Sequence, residues 1–124
     1  MAQHTAYVST LFHNQDNADK VTVAFTMGVN ALKRGHTATI ILMADAVTLG
    51  QPNATDGIDI GAPFEPVSDL MKQFLDNNGQ VAVCRSCMVH NGFSDEDMDQ
   101  RFPIITAPDV IDLLMGAQGS LQVS

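Results

Sequence analysis

Hydrophobic and polar positions change their period several times along the chain, and each change marks an element. Ala6 to Phe12 (AYVSTLF) is rich in aromatic and β-branched residues and predicts a first strand. The polar run His13-Asn14-Gln15-Asp16-Asn17 breaks it and offers several helix N-caps. From Asp19 to Arg34 the apolar residues recur with helical spacing: Val23, Met27 and Ala31 form one stripe, with Ala24, Gly28 and Leu32 beside it. Lys33 and Arg34 suit the negative end of that helix dipole, and Gly35 stands where a helix stops. Thr37 to Met43 (TATIILM) predicts a second strand, apolar on both faces at its end as in the middle of a parallel sheet.

Asp45 to Glu65 is the least regular stretch, with Gly50, Pro52, Gly57, Gly61 and Pro63, and only Ala46 to Leu49 invites a helical turn. Connections of this length in a small domain are often functional lids. Pro66 is expected to open a second helix at its first position, and Val67, Leu70, Met71, Phe74 and Leu75 follow the i, i+3, i+4, i+7, i+8 pattern to a stop at Gly79. Met27 and Met71, both on helical stripes, are read as core filler. Gln80 to Cys84 predicts a third strand, Arg85 to Asn91 a short helix stopped by Gly92, and Ser94-Asp95-Glu96-Asp97 another helix start. Pro103 to Thr106 predicts a short strand, Thr106 to Leu114 a capped final helix, and Ser120 to Val123 a last strand. The alternation predicts one α/β domain over residues 1–124, three layers (α/β/α) around a mostly parallel five-stranded sheet.

Composition narrows the function. Among 124 residues, six Lys and Arg stand against fourteen Asp and Glu, a formal charge of −8. A nucleic-acid binder needs clustered cations to neutralise phosphates, and so does a protein held on an anionic membrane, so neither partner is expected. The most apolar run, Ile40 to Ala44, is strand-sized, far from the roughly twenty residues of a membrane helix. No positively charged leader precedes the first strand, so a cytoplasmic protein is expected.

Ligands of open parallel sheets bind beyond the carboxyl ends of the strands. Three segments reach that edge: His13 to Asn17, Asp45 to Glu65, and Cys84 to Cys87. The last, Cys84-Arg85-Ser86-Cys87, is a C-x-x-C leaving a strand for a helix. Only a thiolate attacks sulfur or binds metal, and a helix N-terminus with a neighbouring Arg85 favours that anion. Cys87, one turn on, could attack a persulfide or mixed disulfide on Cys84. Two small buried residues would be the bland alternative, since free cysteine packs as a hydrophobe. Cys84, Cys87 and His90 also form C-x2-C-x2-H, and three such ligands plus water could hold zinc; a structural site normally shows a second ligand pair, which only His4, His13 or His36 could complete through the fold, so the cofactor expectation is none. His13 could serve the Cys84 helix as an acid–base group or be a solvated loop histidine. The glycine-free turn after the first strand rules out the dinucleotide fingerprint and the P-loop, and no G-x-S-x-G is present.

Val81 to Met88 (VAVCRSCM), followed by Asn91-Gly92-Phe93 and the acidic Ser94 to Asp97, resembles the DsrE/DsrF-like sulfur-relay family, including its YchN-like branch. Met43-Ala44-Asp45-Ala46-Val47 is similar to the family's Asp-Gly-Val after strand two, with Ala46 replacing the glycine, and Asp16 to Lys20 resembles its polar turn and Ala-rich helix. The resemblance spans about Ala6 to Val123. It implies a parallel five-stranded α/β/α fold, trimers or hexamers, and transfer of sulfane sulfur between donor and acceptor proteins as a persulfide. Cys84 matches the sulfur-carrying cysteine, and Cys87 a second cysteine found in some branches. The family's Arg-Gly after the short helix is Asn91-Gly92 here. The residues expected at the site are therefore Cys84 and Cys87, supported by Arg85, Ser86 and His13, in a sulfur carrier or sulfurtransferase. A non-catalytic oligomeric binding protein for a metal or small ligand, and a thiol–disulfide oxidoreductase using Cys84 and Cys87, are the alternatives. The apolar stripes of the first, second and last helices, together with the long loop, predict a homo-oligomer whose subunit boundary lies near Cys84.

Overall fold

The computed structural model describes residues 2–124. Nine regular elements follow one another: β1 (Tyr7–Leu11), α1 (Ala18–Lys33), β2 (Ala38–Leu42), α2 (Val67–Asp76), β3 (Gln80–Cys84), α3 (Arg85–His90), β4 (Ile104–Ile105), α4 (Ala107–Gly116) and β5 (Gly119–Val123). Three 3-10 turns, Gln15–Asn17, Ala44–Gly50 and Asp95–Asp97, lie between them. The sheet order is β4-β3-β2-β1-β5 and every pairing is parallel, so the antiparallel member that a "mostly parallel" sheet would allow does not occur. β2, flanked on both sides, is buried at all five positions, as its two-faced apolar run requires.

The pleat divides the core. Leu11, Ile40, Leu42, Val81 and Val83 join the cluster built with α1, α2 and Met88 of α3. Val8, Ile41, Ala82 and Ile105 point the other way, onto Val110 and Leu113 of α4. Ala24 and Gly28 of α1 are buried where α1 meets α2; a Cβ on Gly28 would stand 2.9 Å from Ile40 Cδ1 and 3.0 Å from Phe74 Cε1. The small-residue stripe of α1 is thus consumed inside the chain. Its neighbour stripe is not: Val23 and Met27 are exposed, so Met27 is not core filler, whereas Met71 is buried as expected.

Helix ends depart from the sequence reading in instructive ways. Pro66 is the N-cap of α2 rather than its first helical residue, and α4 runs on to Gly116. The acidic Ser94 segment stops after one 3-10 turn. Pro103 lies outside β4, although its carbonyl accepts the Val83 N–H. α2 closes in a Schellman arrangement, with Asn78 N–H on the Leu75 carbonyl and Gly79 N–H on the Phe74 carbonyl. The left-handed residue is Asn78, at φ 67°, not Gly79. Gly79 is required for space, because a Cβ there would lie 2.6 Å from three ring atoms of Phe74.

The long connection after β2 folds onto its own chain. Ala46, Val47, Leu49 and Gly50 are buried in its 3-10 turn. Further on Ile58 is buried and its carbonyl accepts the Val67 N–H, while Gln15 Nε2 donates to the Ala54 carbonyl.

Candidate functional site

The three segments expected at the carboxyl edge meet there. Asn14 Nδ2 donates to Thr48 Oγ1 at 3.2 Å, tying the turn after β1 to the 3-10 turn after β2. That 3-10 turn packs against α3, which carries the C-x-x-C. Cys84 ends β3 opposite Ile105 and is the N-cap of α3. It is 4% exposed, whereas Cys87 is only partly buried, and both are free thiols.

The two cysteines are neighbours in space. The Cys87 sulfur lies beside the Cys84 sulfur, the Ala44 backbone N–H and its own backbone N–H, each near enough to act on its ionisation. Burial, first of all, pushes the Cys87 thiol above its ordinary value; the Ala44 N–H opposes this, and the Cys84 sulfur raises it further as a hydrogen-bonding partner and a negative charge. A thiol that keeps its proton next to Cys84 can donate it to an anion there. The N–H groups of α3 play a smaller part than the sequence suggests, since Cys84 makes no side-chain capping bond and the helix is six residues long.

Ala44 had no signal in the sequence. It holds φ at 51°, a left-handed backbone that a non-glycine residue adopts at a cost of about 1–2 kcal/mol, and this conformation starts the 3-10 turn that brings its N–H to Cys87. A glycine at the position would have betrayed it. Asp95 was visible only as part of an acidic helix start; here its carboxylate takes Arg85 in a fork, at 3.0 and 3.3 Å. Arg85 is therefore neutralised by a neighbour on the turn after α3. Ser86 lies exposed in the first turn of α3.

His13 makes its side-chain contact with Asp16, on its own turn. It follows β1, with β2 standing between β1 and β3, a separation of about 10 Å at the usual strand spacing. Its Nδ1 is 3.3 Å from the Asp16 carboxylate. That carboxyl is held below its ordinary value mainly by the Asn14 backbone N–H and then by His13. His90 ends α3, exposed. Among the described residues no three His, Cys, Asp or Glu side chains come together as a set that could hold a metal ion, so Cys84, Cys87 and His90 do not form one. No described helix is long and apolar enough to cross a membrane.

The fold is shared with known proteins. YchN of Escherichia coli superposes with a TM-score of 0.74 over 98% of this chain and 99% of its own, at 17% identity. A conserved protein of unknown function from Bacteroides thetaiotaomicron does so at 0.66, over 95% of each chain, at 18% identity. In sequence, an uncharacterized protein of Methanocaldococcus jannaschii is 29% identical over 98 residues, 79% of this chain; the chain spans about a third (35%) of that relative's length. The family model of the DsrE/DsrF-like proteins matches residues 8–119, from the second residue of β1 to the first of β5, with the C-x-x-C inside that span. The chain belongs to the DsrE/DsrF-like family.

Proposed function

We propose that this protein carries sulfane sulfur as a persulfide on Cys84, with Cys87 as the thiol that protonates or discharges it. The family is associated with sulfur relay. The observation that carries the reading is the side-by-side placement of two free cysteines at the end of a central strand, with a backbone N–H directed at one of them. The Cys84 thiolate attacks the outer sulfur of a donor persulfide, R–S–SH; the new S–S bond makes Cys84–S–SH, and R–S⁻ leaves and takes up a proton. An acceptor thiolate can then attack the outer sulfur and return Cys84 as a thiolate, with no net redox change. Alternatively the Cys87 thiolate attacks the inner sulfur, releasing HS⁻ and leaving a Cys84–Cys87 disulfide that an external dithiol must reduce. Donor and acceptor proteins are the partners in this reading.

Intact mass after incubation with a sulfane-sulfur donor tests it. One added sulfur that reductant removes, and that Cys84→Ser abolishes, is expected. Serine is nearly isosteric at a helix N-cap, so the fold should persist. Equal loading of Cys84→Ser and the parent would overturn the assignment. The same adjacency favours a second reading, a thiol–disulfide oxidoreductase, which predicts loss of two hydrogens and no sulfur gain.

A further inference from the structure

Along β5 one row of side chains stops short. Gly119, Leu121 and Val123 alternate onto the face of the sheet that α1 covers, and Leu121 and Val123 pack into the core cluster there. Gly119 continues the row with no side chain, and a Cβ built on it would meet nothing within 4 Å. Its partner across the β1–β5 pairing is Tyr7. α1 lies over β1 and β2, so it does not close the gap beside the edge strand. A cleft of about 380 Å³ opens between the end of α1 and the amino ends of β1 and β5. Small-ligand sites usually span roughly 300–1,000 Å³, so this one suits a small molecule.

The lining joins apolar and basic groups. Tyr7, Met27 and Ala31 supply apolar surface, and Met27 is 44% exposed. Arg34 and His36, both exposed, supply donors, and among the described residues no Asp or Glu lines the cleft. In a chain with fourteen acidic residues and six Lys and Arg, such a lining singles out an anion. Lys72, Arg85 and Arg101 are each matched by an aspartate, whereas Arg34 is in no ion pair among the described residues. The negative end of α1 would by itself repel an anion. Its last carbonyls are already occupied, however: Asn30, Leu32 and Ala31 accept the N–H groups of Arg34, Gly35 and His36, each at 3.0 Å. The guanidinium fork of Arg34 matches a carboxylate, and a tyrosine ring with a thioether favours an aromatic neighbour.

We propose that this cleft binds a small carboxylic acid with an aromatic body, the ring lying in the space left by Gly119 beside Tyr7 and Met27, and the carboxylate on Arg34. The cleft is at the amino ends of the strands, whereas Cys84 is at a carboxyl end. The inference therefore goes beyond sulfur transfer and does not depend on the chemistry at Cys84.

Titration of the full chain with 3-phenylpropionate tests it. Tyr7 is the one tyrosine of a chain without tryptophan, so intrinsic fluorescence reports on the cleft itself. A saturable change with a Kd of about 1 mM or tighter is expected for a ligand of this size. 3-Phenylpropionamide, which keeps the body without the charge, and propionate, which keeps the charge without the body, should each bind at least about tenfold more weakly. Gly119→Val fills the gap with a residue that suits a strand; it should stay folded by circular dichroism and lose at least about tenfold in affinity. Arg34→Gln, on the exposed end of α1, should bind acid and amide alike. No saturable binding up to about 10 mM, including the case in which a second copy covers the cleft, would overturn the proposal. So would equal affinity of the parent for acid and amide, or a folded Gly119→Val that binds as the parent does.

Discussion

Gly79→Ala probes the junction that delivers β3 to the cysteine edge. The added methyl carbon would stand 2.6 Å from three atoms of the Phe74 ring, where carbon atoms normally rest at about 3.5–4.0 Å. The ring has no easy retreat: Phe74 is fully buried, and its other edge lies against Gly28, where even a methyl group would be 3.0 Å away. Overpacking of this kind costs about 1–3 kcal/mol. Restricting the unfolded chain by replacing glycine offsets about 0.4–1 kcal/mol. The net expectation is a loss of about 1–2 kcal/mol, or a fall in Tm of roughly 5–10 °C for a domain of this size. Calorimetry with urea unfolding at one temperature measures both. Asn78→Gly is the matched control, because Asn78 holds the left-handed turn at φ 67° and meets no such demand; it should change stability by less than about 0.5 kcal/mol. If Gly79→Ala melts at or above the parent, Phe74 is not held as described and the role given to Gly79 is wrong.

Alkylation of Cys87 followed against pH should show a midpoint above that of free cysteine, and the midpoint should drop in Cys84→Ser while burial keeps it raised; an unmoved midpoint would show that Cys84 does not act on it. Since the folded state holds that proton more tightly, the stability linked to Cys87 is fully present below pH 9 and is lost as pH rises through the folded value. Asp95→Asn releases Arg85 and should speed iodoacetamide labelling of Cys84 at low salt while changing stability by less than about 1 kcal/mol, the pair being about half exposed on both sides; equal rates would remove Arg85 from the site. At the acid end, Asp16, Asp99 and Asp109 all have lowered carboxyl pKa values, through Asn14, Arg101 and the Thr106 N–H respectively. Their contribution is present above the ordinary carboxylate range and is lost as pH falls through the lowered values, so Tm should decline below about pH 4, and a Tm flat down to pH 2 would contradict it.

Much of this molecule was legible before any coordinates. Apolar spacing together with caps and turn residues located the five strands and four α-helices within a few residues, because a buried two-faced strand such as Ala38–Leu42 and a one-faced helix such as Val67–Asp76 impose different spacings on apolar residues. The parallel pairing and the carboxyl edge as the place where the loops converge followed from the alternation of strands and helices, and the C-x-x-C drew attention to that edge by residue type. Helix stops were read less well: glycine marks the turn at Gly35 and Gly92, but at α2 asparagine takes the left-handed position and glycine answers a contact with Phe74. That contact joins residues whose spacing carries no sign of it.

What the chain by itself determined, then, was the sequence of elements, the layering, and the two thiols one helical turn apart. Those are local or periodic properties, set by backbone geometry and side-chain polarity over a few residues. Which stripe of α1 meets α2, where the charge of Arg85 goes, and which backbone N–H reaches Cys87 were decided only by the tertiary structure. Each depends on a partner brought in from another segment: Phe74 from 46 residues away along the chain, Asp95 from the turn beyond α3, and Ala44 from the end of the neighbouring strand, in a left-handed conformation that no alanine announces. Charge and space at the candidate site are collective, since they arise when three segments converge at one edge of a parallel sheet.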